Sequence, residues 1–469
     1  MPAPLELTKR LAFTRQEHLV RWWDILSPTQ QSQLQHQLES IDFPLIQRLY
    51  QARETDAGEA GADRASRATP PSQLVRQPVT PADRELWKRA TTWGEQALAA
   101  GQVGAILVAG GQGTRLGFDH PKGMFPIGPV SNRTLFQIFC EQLLARGQRA
   151  GRTIPYLIMT SDATHAETVA FFEEQQFFGM DRGDVYFFRQ GKLPAVDIRD
   201  GGILMESQDS VALSPDGHGG LLNALRNEGL LAEMQRRGVE YLYYHQVDNP
   251  TAIVCDPAFL GLHLLHNSEM SSKVVAKVSA EEKMGVLVSI DGQTQIIEYS
   301  DMPVERTRET EADGQLRFWA GNTAIHVINR SFLQGMIDRG QELPYHRANK
   351  PVPYLDSAGE SITPTDKNAF KFEQFIFDVL PLATTALVVE ADRTIEFNPV
   401  KNRSGADSPE TSRAALLQAA RQMAIDAGVR VAATARLEIS PLFVLDAEEL
   451  QRKRPTSPEI SGDAVWPAP

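Results

Sequence analysis

The sequence predicts an α/β protein whose core is a doubly wound sheet, and three observations carry that expectation. Short apolar runs at 105–108, 156–161, 185–188 and 241–247 read as buried strands. Stretches of helical period at about 134–146 and 163–174 stand between them, the alternation of a parallel sheet. A hairpin pattern at 273–300 then adds antiparallel pairs, which makes the sheet mixed.

The elements follow in order. Residues 1–50 read as an N-terminal helical segment: Leu19, Trp23 and Leu26 recur at helical spacing, as do Leu34, Leu38 and Ile41. Ser27-Pro28 suits a helix start, serine capping and proline in the first turn. Residues 52–82 are rich in Ala, Gly, Ser, Thr and Pro, a linker or an extended strap over the surface. A helix at about 83–100 carries Leu86, Trp87, Trp93 and Leu98. The strand Ala105 to Val108 then opens into a loop holding Gly110, Gly111, Gly113 and Gly117. Such a loop lets the backbone approach a ligand and turn N–H groups inward as an anion cradle. Arg115 and Lys122 add two fixed positive charges, and Pro121 stiffens the chain beside the lysine. The loop is neither a P-loop, lacking G-x-x-x-x-G-K-[ST], nor a dinucleotide fingerprint, lacking the third glycine. It reads as a polyphosphate site.

Thr134 to Gln137 has the spacing of a capping box and starts the next helix. Gln190 follows the strand 185–188. Residues 214–225 form a second glycine loop around His218, beginning with a Pro-Asp-Gly turn. The strand 241–247 delivers Asp248 and Asn249 at its carboxyl end, where a Mg²⁺ ligand facing a phosphate loop belongs. In the hairpin, 274–278 and 285–289 are strands, Asp291-Gly292 is a tight turn and 296–300 returns. Residues 370–378 are expected to be a helix with Phe372, Phe375, Ile376 and Val379 on its core-forming face. One more helix covers 410–427, strands at 429–433 and 437–444 complete a small C-terminal α+β lobe, and the tail from Lys453 is expected to be disordered. The domains read as 1–100 (helices and linker), 101–385 (catalytic core) and 386–469 (C-terminal lobe).

Gly110-Gly-Gln-Gly-Thr-Arg-Leu-Gly117 followed by Pro121-Lys122-Gly123 resembles the signature loop of eukaryotic-type UDP-sugar pyrophosphorylases, the N-acetylhexosamine branch most of all. Five further matches follow in the family's order: Gln190-Gly-Lys-Leu-Pro194, Pro215-Asp-Gly-His-Gly-Gly220, Val247-Asp-Asn249, Ala320-Gly-Asn322 and Phe397-Asn-Pro-Val-Lys-Asn402. The resemblance covers roughly residues 85–430. It implies a nucleotidyltransferase with a Rossmann-like core, in which the α-phosphorus of UTP is attacked by a hexose 1-phosphate and pyrophosphate leaves. It also implies the roles of individual residues. Arg115, Lys122 and Lys401 would be the catalytic cations. Ala109, Gly110, Gly111, Gly113, Thr114, Gln190, Gly217 and His218 would hold the nucleotide, with Gln190 on the uracil. Asn249, Gly285, Glu298, Tyr299 and Asn322 would bind the sugar, and Asp248 the Mg²⁺.

Three departures stand out. Acetylhexosamine enzymes tend to carry Asn where His218 stands, whereas Gly-His-Gly is found in UDP-glucose enzymes. The family's A-N-H is Ala324-Ile325-His326 here, and Val400 replaces a leucine. The residues 370–378, by contrast, are closer to the acetylhexosamine branch. UDP-glucose or broad UDP-sugar specificity is the alternative.

The chain has 469 residues and a net charge of −12, which argues against general nucleic-acid binding and makes any phosphate affinity local. Its two cysteines, Cys140 and Cys255, sit in apolar surroundings without metal-ligand spacing. No apolar leader and no run of about 18 apolar residues is seen. The expectation is a cytoplasmic, soluble enzyme with no nucleic-acid or membrane partner; the oligomeric state is left open, a monomer being favoured.

Overall fold

The computed structural model describes residues 3–52, 61, 63–453 and 459–467. Two compact units are each assembled from separate stretches of chain. One comprises residues 1–63, 190–223 and 342–378, the other 64–189, 224–341 and 379–469. The contiguous division at 100 and 385 is therefore corrected. The chain leaves the larger unit after Arg189 and after Gln341 and returns each time, so one run of sequence serves two cores.

The larger unit contains ten strands in one sheet: β1 (Leu74–Val75), β2 (Val103–Val108), β3 (Tyr156–Thr160), β4 (Val185–Arg189), β5 (Tyr241–Gln246), β6 (Met270–Ala276), β7 (Val286–Ile290), β8 (Gln293–Ile297), β9 (Ala320–Asn329) and β10 (Ala386–Glu390). Eight of them run in the order β1-β10-β6-β9-β5-β2-β3-β4. Along this path pairing is parallel except where β9 lies antiparallel between β5 and β6, and β7 adds antiparallel pairs with β8 and β9. The near-continuous apolar sequences of β2 and β3 suit strands buried on both faces. From β2 the chain moves outward to β3 and β4, then returns to place β5 on the other side of β2. This reversal creates a switch point at the carboxyl ends of β2 and β5, where open α/β sheets bind ligands.

The helices of this unit include α1 (Pro81–Ala99), α2 (Leu135–Ala150), α3 (Asp162–Glu174), α4 (Pro257–Leu265) and α5 (Pro409–Asp426). Thr134 caps α2, its hydroxyl accepting the Gln137 N–H at 3.2 Å, but the Gln137 side chain donates to Glu141 instead of closing the box. The hairpin is β7–β8, turning through Asp291 and Gly292 with φ of 51° and 82°, the primed geometry that matches strand twist. Of residues 274–278, expected in that hairpin, 274–276 instead continue β6 inside the main sheet, where Val274 and Val275 are buried.

The linker expectation at 52–82 falls partly on residues 53–60 and 62, outside the described residues. The remainder is a strap. Ala65 and Ala68 pack with Val288 and Phe318, Thr69 exchanges hydrogen bonds with Ser289, and β1 pairs with β10. At the other end, the tail from Lys453 is corrected where it is described: Glu459–Ile460 pairs with Arg430–Val431, and Ala464–Trp466 with Leu437–Ile439. Ile460 is buried among Leu437, Val444 and Leu450, so these late residues complete the lobe's own apolar cluster.

In the smaller unit, helices Leu5–Phe13, Pro28–Ser40 and Phe43–Gln51 pack through Leu11, Leu34, Leu38 and Phe43. Ser27 caps the second of these helices with Pro28 in its first turn, as expected, and also forms a capping box with Gln30. The helical reading of Leu19 and Trp23 is too long, because both lie in single 3₁₀ turns. The helix expected at 370–378 is a strand, Ala369–Gln374, followed by a 3₁₀ segment, Ile376–Leu382. Its burial alternates, with Phe370, Phe372 and Gln374 in, and it pairs with Tyr345–Lys350 and with Val196–Asp197. Aromatic residues at every second position pack well on a pleated surface, and the tertiary partner decided against the helical stripe.

Candidate active site

β2 and β5 end side by side, the Val247 N–H donating to the Val108 carbonyl at 3.1 Å. The glycine loop leaves from β2 and Asp248 from β5. The loop is held from three sides. Ser161 Oγ, beyond β3, donates to the Gly110 carbonyl at 2.8 Å, Lys122 N–H to Gly111 at 3.0 Å, and Gly113 N–H to His120 at 2.9 Å. The N–H groups of Gly110 and Gly111 have no hydrogen-bond partner among the described residues, and space is open around the Gly111 α-carbon. That is the form of an anion cradle. Ala109 takes a different part. Its side chain is buried in the core and its N–H donates to Met159 at 2.8 Å, so it anchors the loop. Thr114 and Arg115 are exposed.

Val400 ties the charges together. Its N–H donates to the Asp248 carbonyl at 2.7 Å, and its own carbonyl accepts from Lys122 Nζ at 3.3 Å. This places Lys401 next in chain to a residue bonded to both the glycine loop and the Asp248 turn. The Lys122 ammonium is held below its ordinary range chiefly by burial, which Asp248 opposes and Arg115 and Lys401 reinforce. Four of the predicted residues thus form one electrostatic cluster of three cations and one carboxylate, a net positive site. The Asp248 carboxylate makes no hydrogen bond or ion pair with a described residue. An uncommitted carboxylate beside a phosphate cradle fits Mg²⁺, which takes one or two carboxylates and fills its shell with phosphate and water oxygens. Among the described residues no cluster of three acidic, His or Cys side chains offers an all-protein metal site.

Asn249 is placed differently from a sugar ligand. Its Nδ2 donates to the Glu396 carbonyl at 2.7 Å, and its Oδ1 accepts from Asn398 N–H at 3.1 Å and Thr251 at 3.0 Å. It is a buried brace joining the Asp248 turn to the segment that carries Lys401. Gly285, Glu298 and Asn322 do come together. The Asn322 N–H donates to the Gly285 carbonyl at 2.8 Å, and a Cβ on Gly285 would lie 2.7 Å from Glu298 Oε1. Asn322 Oδ1 accepts the Ala324 N–H at 3.0 Å, which leaves its Nδ2 as a donor. Tyr299, beside Glu298, is 48% exposed.

Gln190, Gly217 and His218 belong to the smaller unit. Gln190 is half-buried and precedes Gly191, whose carbonyl accepts the Asp216 N–H at 3.0 Å. Gly217 has φ of +82°, and a Cβ there would lie 2.5 Å from the Gln374 carbonyl oxygen, so only glycine fits. The His218 ring stacks on Phe375 at 5.2 Å, and its Nδ1 accepts the Ile376 N–H at 3.1 Å. Burial, helped by His346, lowers its pKa to about 4. The ring is therefore neutral at pH 7, and the Nδ1 contact assigns its proton to Nε2.

Three groups escaped the sequence reading. Arg403 lies against the glycine loop, its guanidinium 3.6 Å from where a Cβ on Gly117 would sit. The Asp407 carbonyl accepts the N–H groups of Lys401 and Asn402 at 2.7 and 2.9 Å, closing the turn that presents the lysine. Asp216, in the second glycine loop, has its pKa raised to about 6 by burial. Its position between Pro215 and Gly217 in the second glycine loop was the available signal, and Arg403 gave none because its contact is long-range.

Known proteins place this arrangement. The model of the family described as UTP–glucose-1-phosphate uridylyltransferase matches residues 66–453. The human UDP-N-acetylhexosamine pyrophosphorylase-like protein 1 is 37% identical over 92% of this chain and 87% of its own length. The UDP-N-acetylglucosamine pyrophosphorylase of Saccharomyces cerevisiae is 34% identical over 93% of this chain and 94% of its own. A crystal structure of the uridine diphosphate N-acetylglucosamine pyrophosphorylase from Trypanosoma brucei superposes with a TM-score of 0.81 at 26% identity, covering 99% of this chain and 98% of that one. The loop, the cation cluster and these likenesses agree, and the chain belongs to the UTP–glucose-1-phosphate uridylyltransferase family of UDP-sugar pyrophosphorylases.

Proposed function

We propose that this protein is a uridylyltransferase that forms UDP-N-acetylglucosamine and pyrophosphate from UTP and N-acetylglucosamine 1-phosphate. The observation that carries the proposal is the cluster of Lys122, Arg115 and Lys401 around the single carboxylate of Asp248. A phosphate oxygen of the sugar 1-phosphate attacks the α-phosphorus of UTP, the bond to the β-bridging oxygen breaks, and pyrophosphate leaves with that electron pair. A phosphate monoester is largely dianionic at pH 7, so the attack needs no protein base. The chain's task is alignment and neutralisation of charge. The free N–H groups of Gly110 and Gly111, with Arg115 and Lys122, hold the β- and γ-phosphates and steady the leaving pyrophosphate. Lys401 steers the sugar phosphate. Mg²⁺, held by Asp248 and phosphate oxygens, supplies further neutralisation when bound.

The sugar is assigned by the relatives named for N-acetylglucosamine and by Asn322, whose Nδ2 can donate to an acetamido carbonyl. UDP-glucose chemistry is the second reading, favoured by His218 and by the family's description. Pyrophosphate release measured in parallel with N-acetylglucosamine 1-phosphate and glucose 1-phosphate separates them. The proposal expects preference for the acetylated sugar, and Asn322→Ala should raise its KM more than that of the glucose ester. Preference for glucose 1-phosphate by the natural chain would move the enzyme to the second reading.

A further inference from the structure

A mainly apolar chamber of the larger unit is lined by a buried arginine that has no ion pair with a described residue. It is a cavity of about 230 Å³ between α2, the segment Pro250–Ile253 and α5 with the strand after it, all within the larger unit. Ile138, Ile253, Leu416, Met423 and Val444 supply apolar walls. Arg146, near the end of α2, also lines it and is only 5% exposed. Its Nε has no hydrogen-bond partner, and its guanidinium makes no ion pair with a described residue. The nearest acid in its field, Asp256, is committed to Lys273 Nζ at 2.8 Å and to the Ala258 N–H at 3.0 Å. The other charged groups on the wall, Arg133 and Glu438, bond to each other at 3.0 Å.

An unpaired buried guanidinium is costly, and chains keep one where something else completes it. Its planar fork matches a carboxylate, and one positive charge balances one negative charge. A dianion would enter the same apolar walls with a second, uncompensated charge. The volume exceeds the roughly 150 Å³ that admits benzene into an apolar protein cavity. We propose that this chamber is a second ligand site, which takes an organic monocarboxylate with its head on Arg146 and its apolar body against Leu416 and Met423.

The site is placed to report on the cation cluster. Pro250–Ile253 begins two residues beyond Asp248, and its Ala252 carbonyl is gripped by Gln142 Nε2 of α2 at 3.1 Å. At the start of α5, Ser412 Oγ donates to the Asn398 carbonyl, three residues before Lys401. A body wedged between α2 and α5 therefore bears on the segments that carry both residues, and occupancy is expected to change the affinity for UTP.

The test uses the full-length chain and octanoate, with 1-octanol as the uncharged probe, read by calorimetry so that the result does not depend on the proposed reaction. Octanoate should bind saturably, and Arg146→Met, which keeps the side chain's length, should weaken it about ten- to a hundredfold, the value of a hydrogen bond to a charged group. Ala419→Phe, which fills the chamber from α5, should abolish binding with Arg146 in place, and it decides the matter if Arg146→Met fails to fold. Octanoate that binds Arg146→Met or Ala419→Phe as well as the natural chain would overturn the proposal, as would octanol binding with no octanoate binding. Octanoate binding without any change in UTP affinity would remove the coupling and leave the site.

Discussion

Replacing Lys122 by methionine probes the polyphosphate site at its most buried charge. Lys122 is held below its ordinary pKa chiefly by burial, so its field acts in a medium far less screening than water. Two unit charges about 4 Å apart attract by about 4 kcal/mol at an effective dielectric of about 20. Each 1.36 kcal/mol is about tenfold in rate, so losing this contact as charge builds on the leaving pyrophosphate should lower kcat by about 10²–10³. The fold should not suffer. A lysine with a depressed pKa is a burden on the folded state at every pH where it is charged, and methionine removes that burden while keeping the volume. Thermal unfolding should therefore occur at or above the natural midpoint while pyrophosphate release collapses. The same shift predicts an alkaline fall in activity earlier than an ordinary lysine would give, and Lys122→Arg should move that limb to higher pH. Near-normal turnover by a folded Lys122→Met protein would refute the reasoning.

Other substitutions test the frame around the site. A Cβ on Gly123 would lie 2.1 Å from the Phe136 ring, so Gly123→Ala should cost about 1–3 kcal/mol of stability, visible in denaturant unfolding. Asn249→Ala should lower both the melting temperature and kcat, because it strands one buried and one half-buried backbone partner and loosens Asp248 from Asn398. A rise in the sugar's KM alone, with stability intact, would instead return Asn249 to the sugar. Acid should unfold the protein early. Burial lowers the pKa of His245 to about 3 and of His263 to about 4, below the 6.5 of the unfolded chain. Their contribution is complete above about pH 6.5 and is lost as the pH falls to 4, with about 3 kcal/mol from His263 alone. Asp216, raised to about 6, acts in the opposite sense but is outnumbered, so the midpoint should drop steadily across that window.

The sequence was most informative where local chemistry and the long-range partner agree. Gly110–Gly117 follows a strand that could only be buried, and Lys122 sits at the loop's closing residue, so their place at the switch point was legible. Residues 370–378 show the opposite case. Phe372, Phe375 and Ile376 satisfy a helical stripe, yet Phe370 and Phe372 also satisfy alternation, and only the partner strand Tyr345–Lys350 settles the choice. The bonds of Asn249 were illegible for a related reason. A motif names the residue but not its bonds, and both ends of this amide are taken up by residues almost 150 positions away. Arg403 and Arg146 lay beyond reach altogether, since nothing local marks an arginine as lacking a partner or as lying beside a loop far off in the chain.

The central claim is tested most directly by pyrophosphate release from UTP and Mg²⁺ by the natural chain, measured with and without N-acetylglucosamine 1-phosphate. The account predicts release only when the sugar phosphate is present, with UDP-N-acetylglucosamine formed mole for mole. Release without any acceptor, or tight UTP binding with no transfer to any sugar 1-phosphate, would contradict it.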